Sequence, residues 1–112
     1  MHMIEVVIRP TSLDRVKSKL AELGIYGCTA LECKGFGKQK GHTERYRGGR
    51  MDVGFVPKVM LKIAVRSEDL EKAIDAIVTS TRSGKVGDGK LFVYDLEKVV
   101  RVRTGESNND AL

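Results

Sequence analysis

The stretch Gly84 to Lys90, GKVGDGK, has the spacing G-x-x-x-x-G-K that lets backbone N–H groups cradle a phosphate while a lysine supplies charge. The rest of that signature is missing. Leu91 follows where a Ser or Thr would hold magnesium, and a helical pattern precedes the turn with a strand pattern after it, the reverse of the required order. An ordinary P-loop is therefore excluded. What remains is simpler: glycines that let the backbone converge on an anion, and Lys85 and Lys90 as countercharges. Further on, Arg101 and Arg103 alternate with Val100 and Val102. In a strand both guanidiniums leave one face, where they repel unless solvated or shared by a polyanion. The turn and the arginine pair together describe either a triphosphate site or a solvated edge.

Other reactive residue types lack partners. His42 has no His or Cys at metal-ligand spacing and reads as a surface loop residue. Cys28 and Cys33 would face opposite sides of a strand, which suits neither a disulfide nor a shared metal. No nucleophile has a base beside it, so catalysis is unsupported. Tyr46 lies between Arg45 and Arg47, the aromatic-cationic mixture of a recognition tip. It belongs to the long segment Gly35 to Phe55, rich in glycine and basic residues and without sustained periodicity. A cationic loop of this length in a small domain is usually functional.

The elements that must position these groups follow from periodicity. MIEVVIR alternates Ile4, Val6 and Ile8 inward as a strand closed by Pro10. Thr11 or Ser12 can cap a helix with Leu13, Val16, Leu20 and Leu23 as its stripe and Gly24 as its stop. CTALECKGF is strand-like and leads into the long loop. Beyond Pro57, Val59, Leu61, Ile63 and Val65 share one face, with Lys58, Met60, Lys62 and Ala64 on the other. Ser67 can cap a second helix striped by Leu70, Ala73, Ile74, Ile77 and Val78, stopped by Gly84. The strands LFVYD and KVVRVR follow, then a polar tail, 104–112, expected to be mobile. This is the β-α-β, loop, β-α-β order of an α+β, ferredoxin-like βαββαβ sandwich over residues 1–112, with the long loop at 37–55 and the glycine-rich loop at 83–90.

The totals narrow the partners. With 112 residues the length fits one domain, and a net charge of +5 with pI near 9.4 favours anionic ligands without choosing among nucleic acid, membrane surface and phosphorylated small molecules. No apolar run reaches the ~18 residues of a membrane span. A cytoplasmic location without membrane insertion is the expectation.

The motifs KGFGKQKGHTE (Lys34 to Glu44), YRG (Tyr46 to Gly48), Phe55-Val56-Pro57-Lys58, SGKVGDGKLFV (Ser83 to Val93) and VVRVRTGE (Val99 to Glu106) carry a family likeness. In this order, they make the chain similar to the PII signal-transduction proteins of the GlnB/GlnK type from Ile4 to Gly105. The resemblance implies a homotrimer with ATP or ADP in clefts between subunits, sensing 2-oxoglutarate with Mg-ATP. It further implies a non-enzymatic regulator of nitrogen and carbon metabolism whose long loop docks on a target transporter or metabolic enzyme, with no nucleic acid as partner. A slow ATPase timing the switch and a nucleic-acid-binding domain are the alternatives.

By matching position, Gly87, Asp88, Gly89 and Lys90 would cradle the phosphates, and Arg101 and Arg103 would reach the β and γ groups. Thr29, Lys62 and Ala64 would meet the adenine, with Gly35, Gly37, Lys38 and Gln39 as further nucleotide contacts. Gln39 would also coordinate the Mg bridging ATP and 2-oxoglutarate. The acid itself would be held by Gly37, Lys38, Gln39, Lys40, Gly41, Lys58 and Gly87. Arg45, Tyr46, Arg47, Arg50 and Met51 would form the docking tip. Two departures stand out. Met51 and Gly49 replace the tyrosine and serine that regulated members have modified, so uridylylation or phosphorylation at those positions is not expected. Lys62 stands where the family commonly has an acid.

Overall fold

The computed structural model describes residues 1–37 and 54–112 in full, and Thr43–Arg45 and Met51–Val53 as strand backbone. Strand β1 (His2–Ile8) leads through a 3-10 turn at Pro10–Ser12 into helix α1 (Leu13–Glu22). Strand β2 (Cys28–Gly35) follows, then a short ladder of β3 (Thr43–Arg45) with β4 (Met51–Val53) inside the segment expected to be an unpaired loop. Strand β5 (Val56–Val65), helix α2 (Leu70–Thr81) and strand β6 (Leu91–Asp95) complete the order. The main sheet is antiparallel throughout, ordered β2-β5-β1-β6, which is the ferredoxin-like α+β arrangement.

Period-two alternation decides what each strand buries. Ile4, Val6 and Ile8 of β1 and Val59, Leu61, Ile63 and Val65 of β5 close over Val16 and Leu20 of α1 and Ala73 and Ile77 of α2. Ile4, Ile8, Leu20, Leu61, Ile63 and Ile77 are essentially inaccessible, each stabilising the fold by about 1.5–3 kcal/mol. The alternate residues form a face that no described helix covers. There Leu31, Phe92 and Tyr94 remain 45%, 52% and 44% exposed. On the same face Tyr94 Oη donates to Glu5 Oε2 at 2.9 Å, and Lys62 Nζ lies 3.7 Å from that oxygen.

Several expectations need correction. Neither Ser12 nor Ser67 makes a side-chain cap; each helix is entered through a 3-10 turn, and Ser67 Oγ instead accepts from the N-terminal ammonium at 2.9 Å. Gly24 stops α1 as expected with φ 78°, whereas α2 already ends where Arg82 becomes extended, before Gly84. Leu23, expected in the buried stripe, is 40% exposed at the helix end.

The largest correction concerns KVVRVR. It forms no strand: Val100 makes a single bridge to Ser107, and Val102 is 97% exposed. The chain turns instead, because Gly105 N donates to Arg101 O at 2.7 Å and Arg101 N to Glu106 O at 2.8 Å, with Gly105 at φ 77°. The tail is likewise built in. Asn108 N donates to Val99 O at 2.7 Å, and the Arg66 guanidinium donates to Asn109 O and Leu112 O at 3.0 and 3.3 Å. No described helix is long and apolar enough to cross a membrane.

Candidate functional site

The glycine-rich loop is shaped by one carboxylate. Asp88 accepts from Ser83 Oγ, from the backbone N–H groups of Ser83 and Gly84, both at 2.9 Å, and from Arg9 Nη1 at 2.6 Å. The Ser83 hydroxyl, then the Arg9 guanidinium and the two backbone donors, hold its carboxyl far below the usual carboxylate range. The Asp88 carboxylate is thus committed to fixing the loop. Arg9 Nη2 adds a bond to Val86 O at 3.0 Å. Gly84, Gly87 and Gly89 all have positive φ, and a Cβ on Gly89 would collide with the Val7 carbonyl oxygen.

Beside this loop lies a concavity of about 520 Å³ lined by Gly35, Gly37, Lys58, Gly87, Gly89 and Lys90, among others. Lys58 is 8% exposed and donates from Nζ to Gly87 O at 3.1 Å. Burial, aided by the nearby Arg9 guanidinium, pushes its ammonium below the ordinary lysine value; Asp88 and Cys33 partly oppose this. Its stem packs 3.0 Å from where a Cβ on Gly35 would sit, so that glycine makes room for it. Phe36 and Phe55 contact each other at the mouth, ring centroids 5.6 Å apart.

Thr29, Lys62, Ala64 and Arg101 line a different concavity, of about 710 Å³, together with Arg66 and Leu112. Thr29 and Lys62 are directly paired across β2 and β5. Arg101 reaches it from the turn, donating to Glu106 Oε1 at 3.0 Å and to Ala111 O at 3.3 Å. Arg103 lines neither concavity, so the two arginines do not project together. Lys58 and Lys62 are four residues apart on one strand, which separates the two concavities by ~13 Å along the sheet. The sequence-predicted residues therefore form two groups at opposite ends of the helix-free face.

Arg9, the anchor of the glycine-rich loop, carried no sequence signal: its partner Asp88 is 79 positions away. The Tyr94–Glu5–Lys62 chain was equally silent, although Glu5 and Lys62 are opposite each other in register. Lys38, Gln39, Lys40, Gly41, His42, Tyr46, Arg47 and Arg50 lie outside the described residues, and Arg45 and Met51 are described only as backbone. Among the described residues no group of His, Cys, Asp or Glu could hold a metal ion. Local desolvation pushes the Cys28 thiol up.

Residues 1–106 match the family model described as nitrogen regulatory protein P-II. The chain belongs to that family. Its P-II relatives include the nitrogen regulatory proteins P-II of Pasteurella multocida (strain Pm70), 51% identical, and Haemophilus influenzae, 49% identical. The nitrogen regulatory protein P-II 1 of Escherichia coli (strain K12) is 47% identical. Each of these alignments covers 112 residues, the whole of this chain and of the relative. P-II proteins are signal-transduction regulators of nitrogen metabolism rather than enzymes.

Proposed function

We propose that this P-II protein senses ATP or ADP, with 2-oxoglutarate and Mg, in clefts between the subunits of a homotrimer and controls a target transporter or enzyme through its long loop. The observation that supports this best is the division of the candidate residues. The phosphate cradle of Gly87, Gly89 and Lys90 and the base-side group of Thr29, Lys62, Ala64 and Arg101 lie ~13 Å apart on one chain. Neither group alone is a nucleotide site; two copies placing opposite ends of their exposed sheet faces together would complete one. The apolar and aromatic residues left bare on that face supply a reason to associate.

The cradle suits phosphate oxygens. Gly87 and Gly89 allow close backbone approach, Lys90 brings a cation, and the Asp88 brace fixes the loop beforehand. Lys58, at the wall of the same concavity, would pair with a carboxylate of 2-oxoglutarate. On this reading Mg would be held by the nucleotide, the acid and Gln39. When bound, it would neutralise phosphate charge and link the two ligands. Ligand contacts that differ between conformations of the long loop would then decide which surface is presented.

Calorimetry with ATP, Mg and 2-oxoglutarate, alongside light scattering for the assembly state, tests this. Wild type should bind as a trimer, and Lys58→Ala should lose 2-oxoglutarate while keeping ATP. A monomer that binds nucleotide with full affinity would refute the shared-cleft reading.

A further inference from the structure

On the opposite side of the glycine-rich loop is an open basin of about 650 Å³ that the nucleotide reading does not use. Val86 lines both this basin and the candidate phosphate pocket, so the loop is the wall between them. Four cations line the basin from three parts of the chain: Arg9 after β1, Arg15 on α1, and Arg82 and Lys85 after α2. Thr11, Ser12, Thr81 and Ser83 add hydroxyls, and among the described residues no acid lines it.

Two of these cations are fixed in advance. Arg15 Nε donates to Ser80 O at 3.2 Å and its Nη2 to Ser12 Oγ at 3.3 Å, while Arg9 is held by Asp88, Ser83 and Val86. Asp88 compensates Arg9. Among the described residues Arg15, Arg82 and Lys85 make no ion pair, which leaves a surplus of positive charge around a concavity. Like charges gathered this way repel one another until a polyanion joins them.

We propose that this basin is a second anion site, for a compact ligand carrying a diphosphate group. Its volume falls within the ~300–1,000 Å³ of small-molecule sites, and guanidinium forks with hydroxyls are the donors that phosphoryl oxygens take. A compact polyanion touches cations from all three parts of the chain at once, whereas an extended acidic segment would meet them one at a time. Occupancy also has a consequence for the loop. A ligand engaging Arg9 competes with Asp88, Ser83 and Val86 for the guanidinium that braces residues 83–88, so the two sides of the wall are coupled.

The proposal does not depend on the nucleotide reading, and the test separates the two. Pyrophosphate is titrated into the nucleotide-free protein by calorimetry and by amide chemical-shift mapping, using wild type, Arg82→Ala/Lys85→Ala and Lys90→Ala. The expected result is binding that weakens with salt, shifts centred on Thr81 to Lys85, a loss of about tenfold or more in the double variant, and retention in Lys90→Ala. Circular dichroism checks the fold, and Arg82→Gln/Lys85→Gln carries the same test should the alanine pair fail to fold. No binding by wild type, or equal binding by the double variant, overturns the proposal. Loss only in Lys90→Ala overturns it as well, placing the pyrophosphate in the candidate nucleotide pocket. Hexaglutamate competing as strongly as pyrophosphate would make the basin a groove for acidic protein segments and overturn the small-ligand assignment.

Discussion

Replacing Gly89 by alanine should damage the protein at two separable levels, and Gly84 provides the means to separate them. Both residues have left-handed backbones, with φ 90° and 80°. Holding an L side chain there costs about 1–2 kcal/mol, offset by about 0.4–1 kcal/mol because alanine also restricts the unfolded chain. A Cβ on Gly84 meets nothing within 4 Å, so Gly84→Ala should lose only the remainder, about 0.5–1 kcal/mol. A Cβ on Gly89 meets the Val7 carbonyl oxygen, part of the β1 backbone and unable to swing away. Forced overpacking adds about 1–3 kcal/mol, so Gly89→Ala should cost roughly 1.5–4 kcal/mol in all. That is a large part of a domain's ~5–15 kcal/mol but leaves it folded. Urea denaturation of wild type and both variants reads the difference, and Gly54→Ala, at open space and ordinary φ, is the neutral control. If Gly89→Ala is no less stable than Gly84→Ala, the close approach of the loop to β1 is wrong, and with it the account of how the cradle is positioned.

Two further outcomes are expected. Because the folded Asp88 carboxyl titrates well below its ordinary value, the stability it contributes is complete above the unfolded carboxylate pKa of ~3.9. It declines as pH falls below that point and is gone only beneath the depressed folded value, so Asp88→Asn should flatten the acid limb of the stability curve while lowering stability at neutral pH. An unchanged acid limb would remove the brace from the argument. With a P-II uridylyltransferase and labelled UTP, the wild-type chain should take no label at position 51, since the Met51 thioether has no group to accept it, and Met51→Tyr should gain label. Label mapped to Met51 in the wild type would contradict this.

Strong local signals read correctly. Alternation in β1 and β5 named every buried hydrophobic residue of those strands, and the helix stripes found Val16, Leu20, Ala73 and Ile77 while missing Ala76, because periodicities of two and 3.6 residues are properties of the backbone itself. The motifs carrying the P-II likeness were equally legible, and the family match over residues 1–106 bears them out. The reading failed where remote partners decided the local choice. VVRVR alternates as well as any strand in the chain, yet with Arg101 bonded to Glu106 and Ala111, and Gly105 closing a turn, the segment bends away from the sheet and Val102 is left in solvent. Likewise the tail's polar composition gave no hint that Arg66, some 43 positions earlier, would capture it.

Local pattern alone thus carried the order of the main-sheet strands and the two helices, most of their buried faces, the family likeness, and the glycine and lysine content of residues 84–90. How those residues are held comes from contacts remote in the chain. Arg9 and Asp88 are 79 positions apart, and Lys58 and Gly87 are 29. These contacts exist because antiparallel β1, β5 and β6 bring their ends together at one end of the sheet, and no local pattern encodes that meeting. The same folding sets Thr29, Lys62 and Arg101 at the far end, since strand length is rigid and a residue four places along a strand cannot share its neighbour's site.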